Sequence, residues 1–366
     1  MPAFRKLLFF ALFLTFDLIM FGAFVRVTDS GLGCPDWPGC YGKATPIGAM
    51  ASIQAEAAVR PDGPVTVFKA WVEMLHRYVA AGLGLIVIAL AVMATRLARG
   101  YRTPERPASG EPGRFAAAPP GVALAWFTLA WIILQGIFGA WTVTLKLKPL
   151  VVTAHLLGGV ILFALLLAQA VRVVGHPPLA PAAARLRSGA IVALALLFVQ
   201  IALGGWVSTN YATLVCRDFP MCQGAWWPAM DFAAGFELWR SLGVTGSGEA
   251  LPFQALTAIH YAHRLFAYLV IAVIVVLAWR ARRVEGLANL GMGLLAVLAL
   301  QVLTGLTNIF LDWPLAAAVM HTGGATALVG LLLMLEFRAR AAAQGNVAIG
   351  VRVPTDAGGP PLSARA

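Results

Sequence analysis

"VTAHLLGGVILFALLL" occupies residues 152–167, and "VMHTGGATALVGLLL" occupies residues 319–333. Each sets one histidine, His155 or His321, ahead of two glycines and an aliphatic run. The glycines are Gly158 and Gly159 in the first stretch and Gly323 and Gly324 in the second. Gln135 precedes His155 by 20 residues, and Gln301 precedes His321 by the same 20. A second match lies upstream of each. "WVEMLHRYVAAGLGL" (71–85) pairs with "TAIHYAHRLFAYLV" (257–270) through a His-Arg step and an aromatic-aliphatic tail. The chain therefore writes one helical unit twice.

The solvent for that unit is a bilayer. Of 366 residues, 60% are hydrophobic and 12% charged, against about 25% charged in an ordinary soluble domain. Eight runs are long enough to cross a membrane, near residues 7–27, 70–95, 122–143, 151–174, 188–208, 258–280, 288–309 and 316–337. The first is kept as a helix, because "FVRVTDS" offers no small-residue cleavage site after it. The formal charge of +11 falls mostly in alternate connections, among them Arg96, Arg99, Arg280, Arg282 and Arg283. By the positive-inside rule these are cytoplasmic, as are both termini. The basic balance is thus no nucleic-acid footprint.

The expected fold is an all-α membrane protein of two pseudo-symmetric four-helix bundles. Residues 1–174 form one half, 175–187 a cytoplasmic linker, 188–340 the other half and 341–366 a flexible tail. Four spans restore the starting side, so the halves run parallel and are related by an axis along the membrane normal. The Pro- and Gly-rich stretch 101–120 reads as a flexible cytoplasmic loop.

All four cysteines lie in two outer loops, "GCPDWPGCYG" (33–42) and "CRDFPMC" (216–222). Both follow Cys-x-Asp-aromatic-Pro-x-Cys, a turn-forming composition. In an oxidising outer compartment Cys34 is expected to pair with Cys40, and Cys216 with Cys222. Each pair is read as a structural clip or as a reducible functional pair. Neither loop holds a histidine, which argues against zinc. Segment 223–257, with Trp226, Trp227, Phe232, Phe236 and Trp239, reads as an interfacial amphipathic helix or as a cap on the C-terminal half.

Of six histidines, His176 belongs to a cytoplasmic loop and carries no expectation. His76, His155, His260, His263 and His321 lie near the outer ends of spans. Ionisable side chains within a membrane mark function by default. His76 can face His155, and His263 can face His321. Two imidazoles in an apolar bundle suit the axial positions of a heme iron, whereas zinc takes three or four protein ligands. Copper would favour neighbouring cysteine or methionine clusters, and none stands beside these histidines. The glycines after His155 and His321 are expected to let a ring lie against the backbone. Arg77 and Arg264 are candidates to bind heme propionates, or else to snorkel to lipid phosphates. The halves differ one turn earlier: Glu73 precedes His76 by three residues, and His260 precedes His263 by three. A carboxylate there can move protons, or it is an interfacial residue in water.

With "VEMLHR", "TAHLLGG", "AHRLF", "MHTGG" and the two cysteine loops in place, the chain resembles the heme A synthase family over residues 5–338. That resemblance implies oxidation of the C8 methyl group of heme O to a formyl group. It implies a heme b cofactor on His263 and His321. It places the substrate heme at His76 and His155, with Glu73 as the catalytic residue nearby. No dinucleotide-binding fingerprint is present, so an external electron donor is implied. The expected setting is a bacterial inner membrane. The enzyme that makes heme O and a second copy of the chain are expected as partners. A two-heme membrane cytochrome b for electron transfer is the alternative, and a heme exporter is a third reading. An electron carrier leaves Glu73 in one half unexplained, and an exporter would want an energy source.

Overall fold

The computed structural model describes residues 1–100, 120–174 and 180–350. The described residues are helical, in chain order α1 (Pro2–Val27), α2 (Met50–Val59), α3 (Val67–Gly100), α4 (Val122–Thr144) and α5 (Pro149–Val174). A 3-10 turn (Pro181–Leu186) then leads to α6 (Arg187–Thr209), α7 (Phe232–Gly235), α8 (Phe253–Arg282), α9 (Ala288–Phe310) and α10 (Leu315–Gly350). All but α2 and α7 are long and apolar enough to cross a membrane, eight spans in all. The chain is a multi-pass membrane protein.

Packing closes two rings. α1 meets α3, α3 meets α4, α4 meets α5, and α5 returns to α1. Likewise α6 meets α8, α8 meets α9, α9 meets α10, and α10 returns to α6. α1 and α5 abut α6 and α10 between the rings. Within each ring the helices bearing the histidine motifs are diagonal partners: among the described residues no Cα of α3 lies within 8 Å of one in α5, nor any of α8 within 8 Å of one in α10. The tight cores fill the ends away from the histidines. Leu83, Leu162, Val270 and Leu328, each seven residues past a histidine, are buried in them. Seven residues of helix are about 10 Å.

Four helices end alike. The chain leaves α1, α4, α6 and α9 through a left-handed residue: Asp29, Lys146, Tyr211 or Asp312, with φ of 51°, 51°, 55° and 53°. The next amide then donates to the carbonyl five residues back, at 2.9 Å for Ser30 to Val25, 2.8 Å for Leu147 to Thr142, and 3.0 Å for both Ala212 to Val207 and Trp313 to Asn308. This closure satisfies carbonyls that a helix end would otherwise orphan.

Two expectations, on residues 341–350 and 223–257, need correction. Residues 341–350 are not a loose tail but continue α10. Their approach through Ala339, Ala341, Ala342 and Ala343 favours helix. Of the linker, Pro181–Leu186 forms a 3-10 turn that packs on α10 and buries Ala183 and Leu186. Segment 223–257 is no amphipathic helix. Only the four residues of α7 and the start of α8 are helical in it, because Pro228, Gly243, Gly248 and Pro252 interrupt it, with φ of 79° and 88° at the two glycines. It lies over the second ring, where Trp206 Nε1 donates to the Gly235 carbonyl at 2.8 Å. Trp226 and Trp227 remain exposed there. Residues 101–119 and His176 lie outside the described residues.

Candidate functional site

The cysteine loops sit directly on the histidine helices. Cys34 is bonded to Cys40 and Cys216 to Cys222. Peptide mapping without reduction is expected to return both linked peptides. In each loop one aspartate closes the turn through both carboxylate oxygens. Asp36 accepts from the amides of Tyr41 and Gly42 at 2.6 and 2.7 Å. Asp218 accepts from Gln223 and Gly224, both at 2.8 Å. The prolines follow cis bonds at Trp37–Pro38 and Phe219–Pro220. The repeated motif thus encodes one turn, built twice.

The arginines that follow the histidines grip these turns. Arg77 donates to the carbonyls of Asp36 and Gly39 at 2.9 and 2.7 Å. Arg264 donates to those of Asp218 and Met221 at 2.7 and 3.0 Å, and also to Cys216. These backbone partners, together with Glu73 and His260, occupy the guanidinium groups that the sequence offered to propionates or lipid phosphates. The point of difference between the halves is also part of the grip. Glu73 Oε1 accepts from Arg77 at 2.6 Å, and its Oε2 accepts from the Cys34 amide at 2.8 Å. At the matching place His260 Nε2 accepts from Arg264 Nε at 2.9 Å, and Nδ1 lies 2.7 Å from the Ala212 carbonyl. His260 is 4% exposed with both ring nitrogens engaged, so it is a structural histidine. Glu73, also 4% exposed, is no interfacial residue in water.

The other four histidines are only half buried. His76 and His155 stand on the diagonal helices α3 and α5 of one ring, and His263 and His321 on the diagonal helices α8 and α10 of the other. Each ring rests on a glycine of the preceding span. A methyl group built on Gly22, Gly139, Gly204 or Gly305 would stand 3.3, 3.4, 3.0 or 3.2 Å from Cε1 of His76, His155, His263 or His321. Each of these glycines lies seven residues before the left-handed residue that ends its helix. That register fixes the four rings at one depth, about 10 Å of helix from the end.

The glycines singled out from the sequence do something else. Gly158 faces the Gln135 side chain, Gly324 faces Gln301, Gly159 faces Ile19 and Gly323 faces Met20. They admit helix contacts, while the histidine rings rest on the other four glycines. The signal that identifies the right glycines is a fixed step: Gln135 to Gly139, Gln200 to Gly204 and Gln301 to Gly305 are each four residues. A Gly204→Val substitution is expected to displace the His263 ring and to reduce heme-bound low-spin signal in purified protein, read by absorption and electron paramagnetic resonance.

The residues present suit heme. Each ring of helices offers two imidazoles across an interior diagonal, and the core begins about 10 Å below. The glycine beneath each histidine ring leaves a space that a Cβ would fill. Among the described residues no cluster of three or more His, Cys, Asp or Glu side chains is placed to hold a bare metal ion.

Known proteins give the same picture. The model of the cytochrome oxidase assembly protein family matches residues 5–333. A heme A synthase of Shewanella oneidensis is 36% identical over 333 residues, covering 90% of this chain and 95% of that protein. Heme A synthases of Caulobacter vibrioides and Halalkalibacterium halodurans are 27% and 26% identical, covering 91% and 83% of this chain and 95% and 86% of theirs. A match spanning all eight membrane helices, both cysteine loops and all four half-buried histidines places this chain in the cytochrome oxidase assembly protein family.

Proposed function

We propose that the protein is a heme A synthase, an oxidoreductase that converts the C8 methyl group of heme O into a formyl group. The observation that carries this reading is the paired set of diagonal histidines, with a buried carboxylate beside one pair only. His76 and His155 would hold the substrate heme, and His263 and His321 a resident heme b. When bound, that heme supplies one-electron transfer. The reaction would proceed by two hydroxylations of the methyl group to a geminal diol, which loses water to give the aldehyde. The chain's own residues would bind and orient the substrate, with the first cysteine loop tied to the same helix through Arg77 and Glu73. Glu73, held by Arg77 and the Cys34 amide, is the one carboxylate near His76 placed to hold or move a proton.

The two rings are read as pseudo-symmetric halves, 1–174 and 188–340, related by an axis along the membrane normal. Support comes from the shared helix endings, the glycine register and the two matched loops. Both termini are assigned to the cytoplasm of a bacterial inner membrane, which sets the disulfides in the oxidising compartment. Electrons come from an external donor. Heme O, being insoluble, is best delivered by contact with the enzyme that makes it, and the exposed helix faces leave room for a second copy of the chain.

The test is direct. Purified protein supplied with heme O, reductant and oxygen is expected to yield a heme with a formyl group, identified by its pyridine hemochrome spectrum and its mass. An electron-transfer cytochrome b would return heme O unchanged.

A further inference from the structure

The four half-buried histidines differ in how their second nitrogen is held. Thr304 Oγ1 lies 2.9 Å from Nδ1 of His321, and the same hydroxyl lies 3.0 Å from the Leu300 carbonyl. Gln200 Nε2 lies 3.0 Å from Nδ1 of His263, 3.4 Å from its Nε2 and 3.2 Å from its carbonyl. In the first ring both Nδ1 atoms are buried and unpartnered. The matching positions explain why. Four residues before the glycine stand Leu18, Gln135, Gln200 and Gln301, and one residue before it stand Phe21, Phe138, Leu203 and Thr304. At His76 the corresponding residues are apolar, and Phe21 packs edge-on against its ring at 5.5 Å. Gln135 is turned toward Gly158.

We propose that Gln200 and Thr304 are positioning residues that fix the tautomer and plane of the His263 and His321 rings, and so set the potential and retention of the heme those rings ligate. This rests on the reading of His263 and His321 as ligands of a resident heme b. A histidine that ligates through Nε2 must carry its proton on Nδ1. Thr304 can accept that proton's hydrogen bond while donating its own to Leu300. The Gln200 carbonyl oxygen is buried without a partner. A half-turn of the amide brings that oxygen to Nδ1 and gives up the Nε2 bond to the His263 carbonyl. Hydrogen bonds of this kind raise ligand basicity, which favours the ferric state and lowers the potential. A substrate heme must be admitted and released, and its two rings lack this hold. A resident cofactor must stay, and its two rings have it.

The test uses full-length protein in detergent. Heme b midpoint potential is measured by spectroelectrochemical titration, and retention by transfer to apomyoglobin. Thr304→Val and Gln200→Leu are expected to shift the potential upward and to weaken retention by about ten- to a hundred-fold. Thr304→Ser is expected to match the parent. Gln200→Glu, which puts a stronger acceptor at Nδ1, is expected to shift the potential downward. Parent-like potential and retention in both apolar variants overturn the proposal, as does a shift of the same sign in Gln200→Leu and Gln200→Glu. If the apolar variants are not recovered from membranes, the downward shift in Gln200→Glu decides alone, and its absence overturns the proposal. Low-spin heme b persisting in His263→Ala and His321→Ala overturns the ligand reading itself, and this inference with it.

Discussion

Glu73→Gln is expected to cut heme A formation by about 100-fold or more, the scale on which a positioned acid–base group acts, while the protein inserts and keeps its heme b. Heme O accumulates, or a hydroxylated intermediate if the second oxidation depends more on the carboxylate. Glutamine preserves the length of the side chain and its carbonyl can still accept from the Cys34 amide. What it loses is the negative charge opposite Arg77 and the capacity to take a proton. The competing explanation is structural. Breaking a buried ion pair costs about 3–5 kcal/mol, and Glu73 is buried against Arg77 at 2.6 Å. Two measurements separate the explanations. Membrane yield and the Cys34–Cys40 bond report on folding. An Arg77→Gln variant removes the same ion pair but keeps the carboxylate. If both variants lose activity together with the loop's disulfide, Glu73 belongs to the anchor of the loop. If Glu73→Gln makes heme A at nearly the parent rate, it has no part in the reaction.

His263→Ala and His321→Ala are each expected to abolish the low-spin heme b signal and, with it, heme A formation. Either removes one of the two half-buried imidazoles on the α8–α10 diagonal. His260 cannot substitute, because its two nitrogens are engaged by Arg264 and Ala212. The same substitutions at His76 or His155 are expected to leave heme b in place and to weaken heme O binding, so the two pairs separate by spectrum. Retained low-spin heme b in both His263 and His321 variants would sink the assignment.

The two rings of helices carry their histidines in matched registers. A ring that rests on glycine comes nearer the neighbouring backbone than any other side chain would allow. Below the level of the rings the packing is dense. The arginine one residue beyond the histidine ties the same helix to the rigid cysteine loop. Glu73 in one ring and His260 in the other fill the same position of that tie, so the two rings differ in charge there without a change of fold.

The eight spans, the doubled histidine motifs and the doubled cysteine loops were all legible in the residues, because each is a local pattern. A hydrophobic run of membrane length, a His-Arg step and a Cys-x-Asp-aromatic-Pro-x-Cys turn need no knowledge of what lies opposite. Local patterns failed where helix breakers or alanine content were misjudged, at residues 223–257 and 341–350. Tertiary structure decided everything that depends on which faces meet. It set α3 against α5 and α8 against α10 on the diagonals. It chose Gly22, Gly139, Gly204 and Gly305 over the glycines adjacent in sequence. It gave Arg77 and Arg264 to the loops, and Nδ1 of His263 and His321 to Gln200 and Thr304. Those partners come from other helices, up to 63 residues away in the chain. Sequence spacing measures position along a helix, whereas such contacts depend on how one helix is rotated against another, and that rotation is fixed only when the ring of four closes.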